Sequence, residues 1–185
     1  MAIRTIDKTK IAKSWNNKTF FPKDNYILRC LEQKFAPNSN GNPMVTLEWE
    51  IVNQEPKQIG PDLIEFDGIK FSSYHVIKMP GNEEDSNKAF NRFCEMLDKC
   101  GIDISEGVDD ENPPSLKGVV VHASVYGREQ PSYASPTPEE RAKNLKVGKI
   151  LKDPITGKDT INFSPTIEQI YGLFDGVVTT EKAPY

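Results

Sequence analysis

The sequence predicts a mainly β domain with one principal helix, and three observations support this fold class. Residues 45–51 alternate apolar and polar side chains, which is the period of a strand with one buried face. Turn-forming residues at 38–43 separate that run from an earlier apolar run at 26–31. Farther along, apolar residues recur three and four positions apart between 89 and 97, the spacing of an amphipathic helix.

The first half of the chain therefore divides into a hairpin, a further strand pair and the helix. Residues 24–53 are expected to form the β-hairpin. The pair Asp67-Gly68 lies between two apolar runs, and such a pair favours a tight hairpin turn. Asp85 or Ser86 can cap the helix, because short polar side chains accept hydrogen bonds from the first free backbone amides.

The second half contains further segments with strand or helix character. Residues 116–126 alternate as a strand does. Thr137-Pro138-Glu139-Glu140 has the spacing of a capping box, so a short helix is expected to begin there. Residues 145–151 and 160–163 have the composition of strands. A final helix is expected to open at Ser164-Pro165, with an apolar stripe of Ile167, Ile170, Tyr171 and Phe174.

The order of these elements predicts the fold. Five strands with the main helix between the third and the fourth is the order of an OB barrel. The expected structure is therefore a mainly β, five-stranded OB-type barrel with one helix between strands 3 and 4 and a C-terminal helix; a generic α+β sandwich is the alternative. The expected organisation is a basic N-terminal arm at 1–23, the OB-fold domain at 24–175 and a C-terminal tail at 176–185.

Composition predicts a cytoplasmic protein without a membrane partner. Its 185 residues contain no run of about 18 apolar residues, so no transmembrane helix is expected. The first residues lack the continuous apolar region of a secretory signal. Cys30, Cys94 and Cys100 form an odd and sparse set, which is typical of reduced cytoplasmic thiols rather than of a disulfide framework.

Charge is unevenly distributed along the chain. The net charge of −4 by itself disfavours a nucleic-acid partner, because phosphate contacts are made mainly by Lys and Arg. Basic residues nevertheless dominate at 1–23 and at 141–159, whereas 83–111 contains ten acidic and three basic residues. Both ordinary solvated surface charge and a molecule with one basic and one acidic side fit this pattern.

Four short segments carry a resemblance to a known family. Residues 26–28 (YIL), 41–52 (GNPMVTLEWEIV), 116–119 (LKGV) and 146–150 (KVGKI) resemble strands of bacteriophage OB-fold proteins that bind single-stranded DNA. The resemblance implies non-enzymatic binding with little sequence preference, in support of phage DNA replication or recombination in the host cytoplasm. It also implies phage or host replication proteins as partners. The C-terminal residues DGVVTTEKAPY lack the acidic run with which many such proteins contact them.

Binding of an unpaired strand requires cations along the phosphates and aromatic rings that stack on bases. In an OB barrel these residues are expected on the outer side of strands 2 and 3 and in the flanking loops. Glu48 and Glu50 share that outer face and oppose phosphate. The candidate nucleic-acid-binding residues are Lys34, Phe35, Lys70, Tyr74, Tyr126, Arg128, Tyr133, Arg141, Lys143 and Lys146.

Motifs for catalysis, metals and cofactors are not found. The sequence has no zinc-ligand spacing, no EF-hand loop, no phosphate-binding loop and no nucleophile elbow, so no catalytic residue, metal or cofactor is expected. Two other functions remain open. One is a protein-interaction or virion-assembly module that docks a partner on its acidic side (83–111) without binding nucleic acid; the other is a metal-dependent nuclease, because paired acidic residues are common by chance.

Overall fold

The computed structural model describes residues 12–176. None of the helices in this part of the chain is long and apolar enough to cross a membrane. In chain order the elements are β1 (Lys13–Ser14), β2 (Asp24–Pro37), β3 (Pro43–Val52), β4 (Lys57–Ile59), β5 (Asp62–Glu65), β6 (Lys70–Val76), α1 (Glu83–Lys99), β7 (Val120–Pro131), α2 (Pro138–Ala142) and β8 (Ile161–Leu173).

Two β-sheets form the framework, so the expectation of a mainly β protein is confirmed. The main sheet is antiparallel with strand order β6-β3-β2-β7-β8, and the small sheet has the order β1-β5-β4. Helix α1 connects β6 to β7 and is therefore the expected helix between the third and fourth main strands. It packs on β6 and β8, the two edges of the main sheet, and these edges also contact each other. The ladder does not continue from β6 to β8 in the described residues.

The core lies on the inner face of the main sheet, as the alternation of residues 45–51 predicts. Val45, Leu47, Trp49 and Ile51 are fully buried. Helix α1 contributes Phe93 and other apolar side chains to the same cluster. Burial of each large apolar side chain stabilises the fold by about 1.5–3 kcal/mol relative to its exposure.

The first hairpin is confirmed, but the second strand pair is not a hairpin. Strands β2 and β3 pair from Ile27 with Val52 to Pro37 with Pro43. Strands β5 and β6 flank Asp67-Gly68 but belong to different sheets. The amide of Gly68 donates to Ile51, so this turn joins the two sheets. The dipeptide correctly indicates a turn and does not determine which strands pair.

The expected C-terminal helix is wrong, because residues 161–173 form β8. Ile167 lies opposite Val125 and Ile170 lies opposite Ala123, and both isoleucines pack on the core. The register shifts once between these pairs, with Glu168 as the extra residue. A bulge of this kind places residues three positions apart on the same face of a strand. The spacing that suggested a helical stripe is therefore the spacing of a bulged strand.

The remaining expectations of the second half hold in part. Helix α2 begins with the predicted capping box: Thr137 accepts from the Glu140 amide at 3.2 Å, and the Glu140 carboxylate accepts from the Thr137 amide at 2.8 Å. The expected strand at 160–163 is the beginning of β8. The expected strand at 145–151 is reduced to an isolated bridge between Tyr133 and Ile150. Asn82, rather than Asp85 or Ser86, caps α1.

Residues 12–23 are part of the folded domain, which corrects the expected boundary at residue 24. Phe21 is 1% exposed and packs edge-on against Trp15, with ring centroids 5.5 Å apart. The carbonyl of Asn17 accepts from the Phe163 amide at 2.6 Å. The segment crosses β7 where Gly127 has no side chain; a Cβ there would lie 2.7 Å from that of Phe21. The rest of the expected arm (1–11) and the tail beyond 176 lie outside the described residues.

Candidate nucleic-acid interface

Lys34, Lys70 and Tyr74 lie on the outer face of β2, β3 and β6, where the alternation predicts Lys70 and Tyr74. Lys34 pairs with Thr46, and Thr46 pairs with Tyr74, so these residues form one row across three strands. Tyr74 is the most exposed tyrosine of the sheet at 65%. Because opposed residues share a face, the sheet places Lys34 and the Tyr74 ring on the same side.

Carboxylates occupy the remaining rows of this outer face. Glu32 pairs with Glu48 in one row. In the next row Glu50 lies between Arg29 and Lys70, and Arg29 Nη2 donates to Glu50 Oε2 at 2.5 Å. Glu32 therefore adds a third carboxylate to this face, next to Glu48 and near Glu50. The outer face of β2, β3 and β6 is therefore balanced in charge rather than basic.

Phe35 lies apart from the other candidates. It pairs with the buried Val45, so it belongs to the inner side of β2 although 39% of it is exposed. Its ring lines a small cavity of about 300 Å³ together with Asp110 and Glu111. The structure thus separates Phe35 from Lys34 and places acidic groups beside it.

An open cleft of about 590 Å³ between β6, α1 and β8 brings Tyr74 and Arg128 together. The two residues are far apart in the sequence and meet because the edges of the main sheet approach each other. Helix α1 adds Arg92, Lys99 and Glu95 to the lining, and β8 adds Glu168. An aromatic ring beside several cations is the residue combination that single strands require.

A hydrogen-bonded chain links the buried Trp49 to Ser73 and His75, which are half-buried in the wall of this cleft. Trp49 Nε1 donates to Ser73 Oγ at 2.9 Å, and Ser73 Oγ lies 3.0 Å from His75 Nε2. The Ser73 hydroxyl can accept from the indole and still either donate to or accept from Nε2, so the tautomer of His75 sets the direction of the second hydrogen bond. Burial lowers the pKa of His75 to about 4, so the ring is neutral at neutral pH. His75 therefore supports the cleft without contributing charge.

Tyr126 lies next to the cleft, in a hollow that it shares with Phe20 and Lys23. Lys23 Nζ donates to Glu168 Oε1 at 2.7 Å, and the Ser124 hydroxyl donates to Oε2 at 3.0 Å. Both hydrogen bonds lower the pKa of Glu168, the one from Lys23 most. The same Lys23–Glu168 hydrogen bond raises the pKa of Lys23. The carboxylate at this end of the cleft is thus matched by a cation. Phe20 is 52% exposed beside it.

The remaining candidates lie on an excursion between β7 and β8, which we define as the arm (residues 132–160). The arm is held by its own backbone bonds, including Ala134 to Lys149 and Ser132 to Thr160. Tyr133 is 46% exposed at its base. Three cations are exposed on and after α2, and they are not among the residues that line the cleft: Arg141, Lys143 and Lys146.

Several residues of this region were missed by the sequence reasoning. Arg92 and Lys99 lie in the acidic stretch of the sequence, yet both line the cleft. Their spacing of seven residues places them on one face of a helix, which is the signal that could have identified them. Phe20 and Lys23 lie before residue 24, in the segment that the sequence predicts to be separate from the domain, and no local pattern connects them to the cleft.

Neither comparison with known proteins nor the arrangement of possible metal ligands assigns a function to this site. The chain matches no known family model, no curated protein and no solved structure. Within residues 12–176 there is no group of three or more His, Cys, Asp or Glu side chains that could hold a metal ion.

Proposed function

We propose that the protein binds single-stranded DNA without catalysing a reaction on it, as the phage-type resemblance implies. The observation that carries the proposal is the cleft in which Tyr74 meets Arg128, Arg92 and Lys99. A ring that is largely exposed can stack on a base, and neighbouring cations can contact the phosphates on either side. Such contacts read no base edge, so they give little sequence preference.

The arrangement of strands supports an OB-type barrel as the scaffold of this site. The main strands follow the order three, two, one, four, five across the sheet, with the helix between the third and the fourth. In an OB barrel the third and fifth strands are neighbours, and β6 and β8 contact each other here. The proposed strand path runs along this junction, from Tyr74 past Arg128 to Tyr126.

Cations on the arm extend the proposed strand path beyond the cleft. The arm begins after Pro131, and the preceding residue, Gln130, lines the cleft together with Arg128. Arg141, Lys143 and Lys146 are exposed on it and can contact phosphates beyond the cleft. A protein of this kind would cover unpaired DNA during phage replication or recombination and meet phage or host replication proteins there.

The test is a titration of fluorescently labelled single-stranded DNA of about 30 nucleotides, more than the roughly 4–16 that one OB fold covers. The label is needed because Trp49 is fully buried and cannot report stacking. We expect binding at low salt that weakens linearly on a logarithmic salt scale, with a slope of about −0.7 per phosphate contact. Absence of binding at low salt, or equal affinity for the matching duplex, would contradict the proposal. Cleavage of the strand on addition of Mg²⁺ would replace it with the nuclease alternative.

A protein-interaction module is the second candidate, and exposed apolar residues on the arm favour it. Leu145, Val147 and Ile155 are 50%, 55% and 92% exposed. Exposed apolar surface, when it is contiguous, marks sites of contact with other proteins. A stable complex with another protein, formed without any DNA binding, would favour this candidate.

A further inference from the structure

A hollow of about 310 Å³ lies at the Glu168 end of the cleft. Phe20, Lys23 and Tyr126 line it, and Glu168 lines both the hollow and the cleft. Tyr126 also pairs with Thr166 of β8, which is another residue of the cleft lining. The hollow therefore adjoins the cleft, at the end of the proposed strand path.

Phe20 offers an exposed aromatic ring in this hollow. Its neighbour in the sequence, Phe21, anchors the segment in the core, where it is 1% exposed and meets Phe66 edge-on with ring centroids 5.3 Å apart. Phe20, by contrast, is 52% exposed, and its ring meets Phe163 edge-on at 5.6 Å. About half of the Phe20 surface is thus left for a ligand.

The backbone holds Phe20 in place from both sides. The Thr19 carbonyl accepts a hydrogen bond from Trp15 Nε1 at 2.9 Å. The Pro22 carbonyl accepts one from the Tyr26 hydroxyl at 3.0 Å. An exposed ring on a backbone that is already fixed loses little conformational entropy when a ligand binds. Phe20 is therefore preorganised for contact with a ligand.

Charge and size indicate which part of a nucleotide the hollow can take. Lys23 is the one cation among the described residues that line it, and its Nζ donates to Glu168 Oε1 at 2.7 Å. The hollow therefore offers a phosphate no unpaired cation, whereas the rings of Phe20 and Tyr126 can contact the face of a base. A cavity of roughly 150 Å³ accommodates benzene, so this hollow has room for a base.

We infer that Phe20 is a second stacking platform, with an unpaired base of the bound strand seated on its ring in this hollow. The inference rests on the proposed single-strand binding and deepens it. One base stacks on Tyr74 in the cleft, a later base stacks on Phe20, and the cations of the cleft contact phosphates between the two. Once one base is bound, the other binds intramolecularly, so a strand that reaches both platforms gains affinity.

The first test measures the affinity of labelled single strands of graded length, from about 4 to 30 nucleotides, at one salt concentration. We expect the wild-type affinity to rise in a step at the length that reaches both platforms. Phe20→Ala should remove this step and weaken binding of the longest strand by about 5- to 150-fold in Kd, because one stacking contact is lost. The shortest strands should bind nearly as before, since they occupy the cleft alone. Equal affinities of the wild type and the variant at every length would overturn the inference.

Two further variants separate stacking from apolar contact and from folding. Phe20→Leu keeps apolar bulk without an aromatic face and should lose affinity as Phe20→Ala does, whereas Phe20→Tyr should bind as the wild type does. The matched control is Phe35→Ala, because Phe35 is also exposed but lines a different cavity. It should bind as the wild type does. Thermal unfolding followed by circular dichroism verifies that each variant is folded, and wild-type affinity in folded Phe20→Leu would contradict stacking.

The second test reports directly on the hollow. Phe20→Trp places an indole there, and its emission should be quenched on titration with unlabelled single strands. The wild type is the control, because Trp49 is fully buried and Trp15 is half-buried. Unchanged emission of the variant at saturating strand concentrations would overturn the inference.

The two proposals fail in different ways. If the wild type binds no single strand, the proposed function is wrong and the second platform falls with it. If the wild type binds and Tyr74→Ala weakens binding, while Phe20→Ala and Phe20→Leu bind as the wild type does, only the second platform is wrong.

Discussion

The outer face of β2, β3 and β6 and the cleft between β6 and β8 contain the same residue types but pair their charges differently. On the outer face Glu32, Glu48 and Glu50 alternate with the cations. In the cleft Glu168 is engaged by Lys23, so Arg92, Lys99 and Arg128 face only Glu95. Equal numbers of cations in the sequence can therefore give surfaces of different electrostatic character.

The largest expected effect is on the free energy of unfolding and comes from His75 in the wall of the cleft. The unfolded state takes up a proton on His75 near pH 6.5, whereas the folded state does so only near pH 4. Folding lowers the pKa of His75, so the folded state is fully stabilised above pH 6.5. As the pH falls from 6.5 to 4, the free energy of unfolding decreases by about 2–4 kcal/mol. Denaturant unfolding at pH 7 and pH 4 should show this loss, and His75→Gln should reduce it. An unchanged pH dependence in the variant would place the titrating group elsewhere.

Removal of the exposed ring should have the next largest effect, on DNA affinity. Tyr74→Ala should weaken single-strand binding by about 1–3 kcal/mol, or roughly 5- to 150-fold in Kd, because it removes a stacking platform. Tyr74→Phe keeps the ring and should bind as the wild type does. The melting temperature should hardly change in either variant, since the side chain is 65% exposed. A large drop in melting temperature with unchanged Kd would show that the ring stabilises the fold and does not contact DNA.

Tyr133 offers a comparison between the cleft and the arm. Tyr133→Ala should also weaken strand binding without unfolding the domain, because the ring is 46% exposed at the base of the arm. We expect a smaller change than for Tyr74→Ala, since Tyr133 does not line the cleft. Measured affinities for both variants under one salt condition will rank the two positions. The opposite ranking would move the centre of the site onto the arm.

The two surfaces should also differ in their salt dependence. Arg128→Ala should reduce the slope of log K against log salt by about 0.7, which corresponds to one lost phosphate contact on a single strand. Lys70→Ala removes a cation that lies opposite Glu50 and should leave the slope unchanged. Binding isotherms at several salt concentrations provide the measurement. Equal reductions would mean that the strand crosses the outer face as well.

The smallest effect is expected for Glu48, a carboxylate on the β3 part of the charge-balanced outer face. Glu48→Gln should change Kd by less than about twofold, because surface changes away from a site stay within about 0.5 kcal/mol. A clear gain in affinity would instead show that this carboxylate repels a strand bound on β3. The affinity of this variant therefore distinguishes a strand bound along the cleft from one bound across the outer face.

Local alternation predicted much of the fold and part of the site. It placed Lys70 and Tyr74 outward and Trp49 in the core, because the period of two holds wherever a strand is regular. It failed at β8, where the extra residue Glu168 gives the isoleucines a helical spacing. The cleft itself depends on contact between β6 and β8, which no local pattern encodes. Phe35 shows the same limit, since Asp110 and Glu111, which line the same cavity, come from a loop that is distant in the sequence.

The segment that carries Trp15 and Phe21 has a consequence for how the domain unfolds. It pairs with the small sheet through β1, passes over Gly127 of β7 and bonds to Phe163 of β8. Separation of either sheet would expose Phe21, so the two should melt together. Trp15 reports on this crossing and Trp49 on the main sheet, and their emission should follow one denaturant transition with a single midpoint.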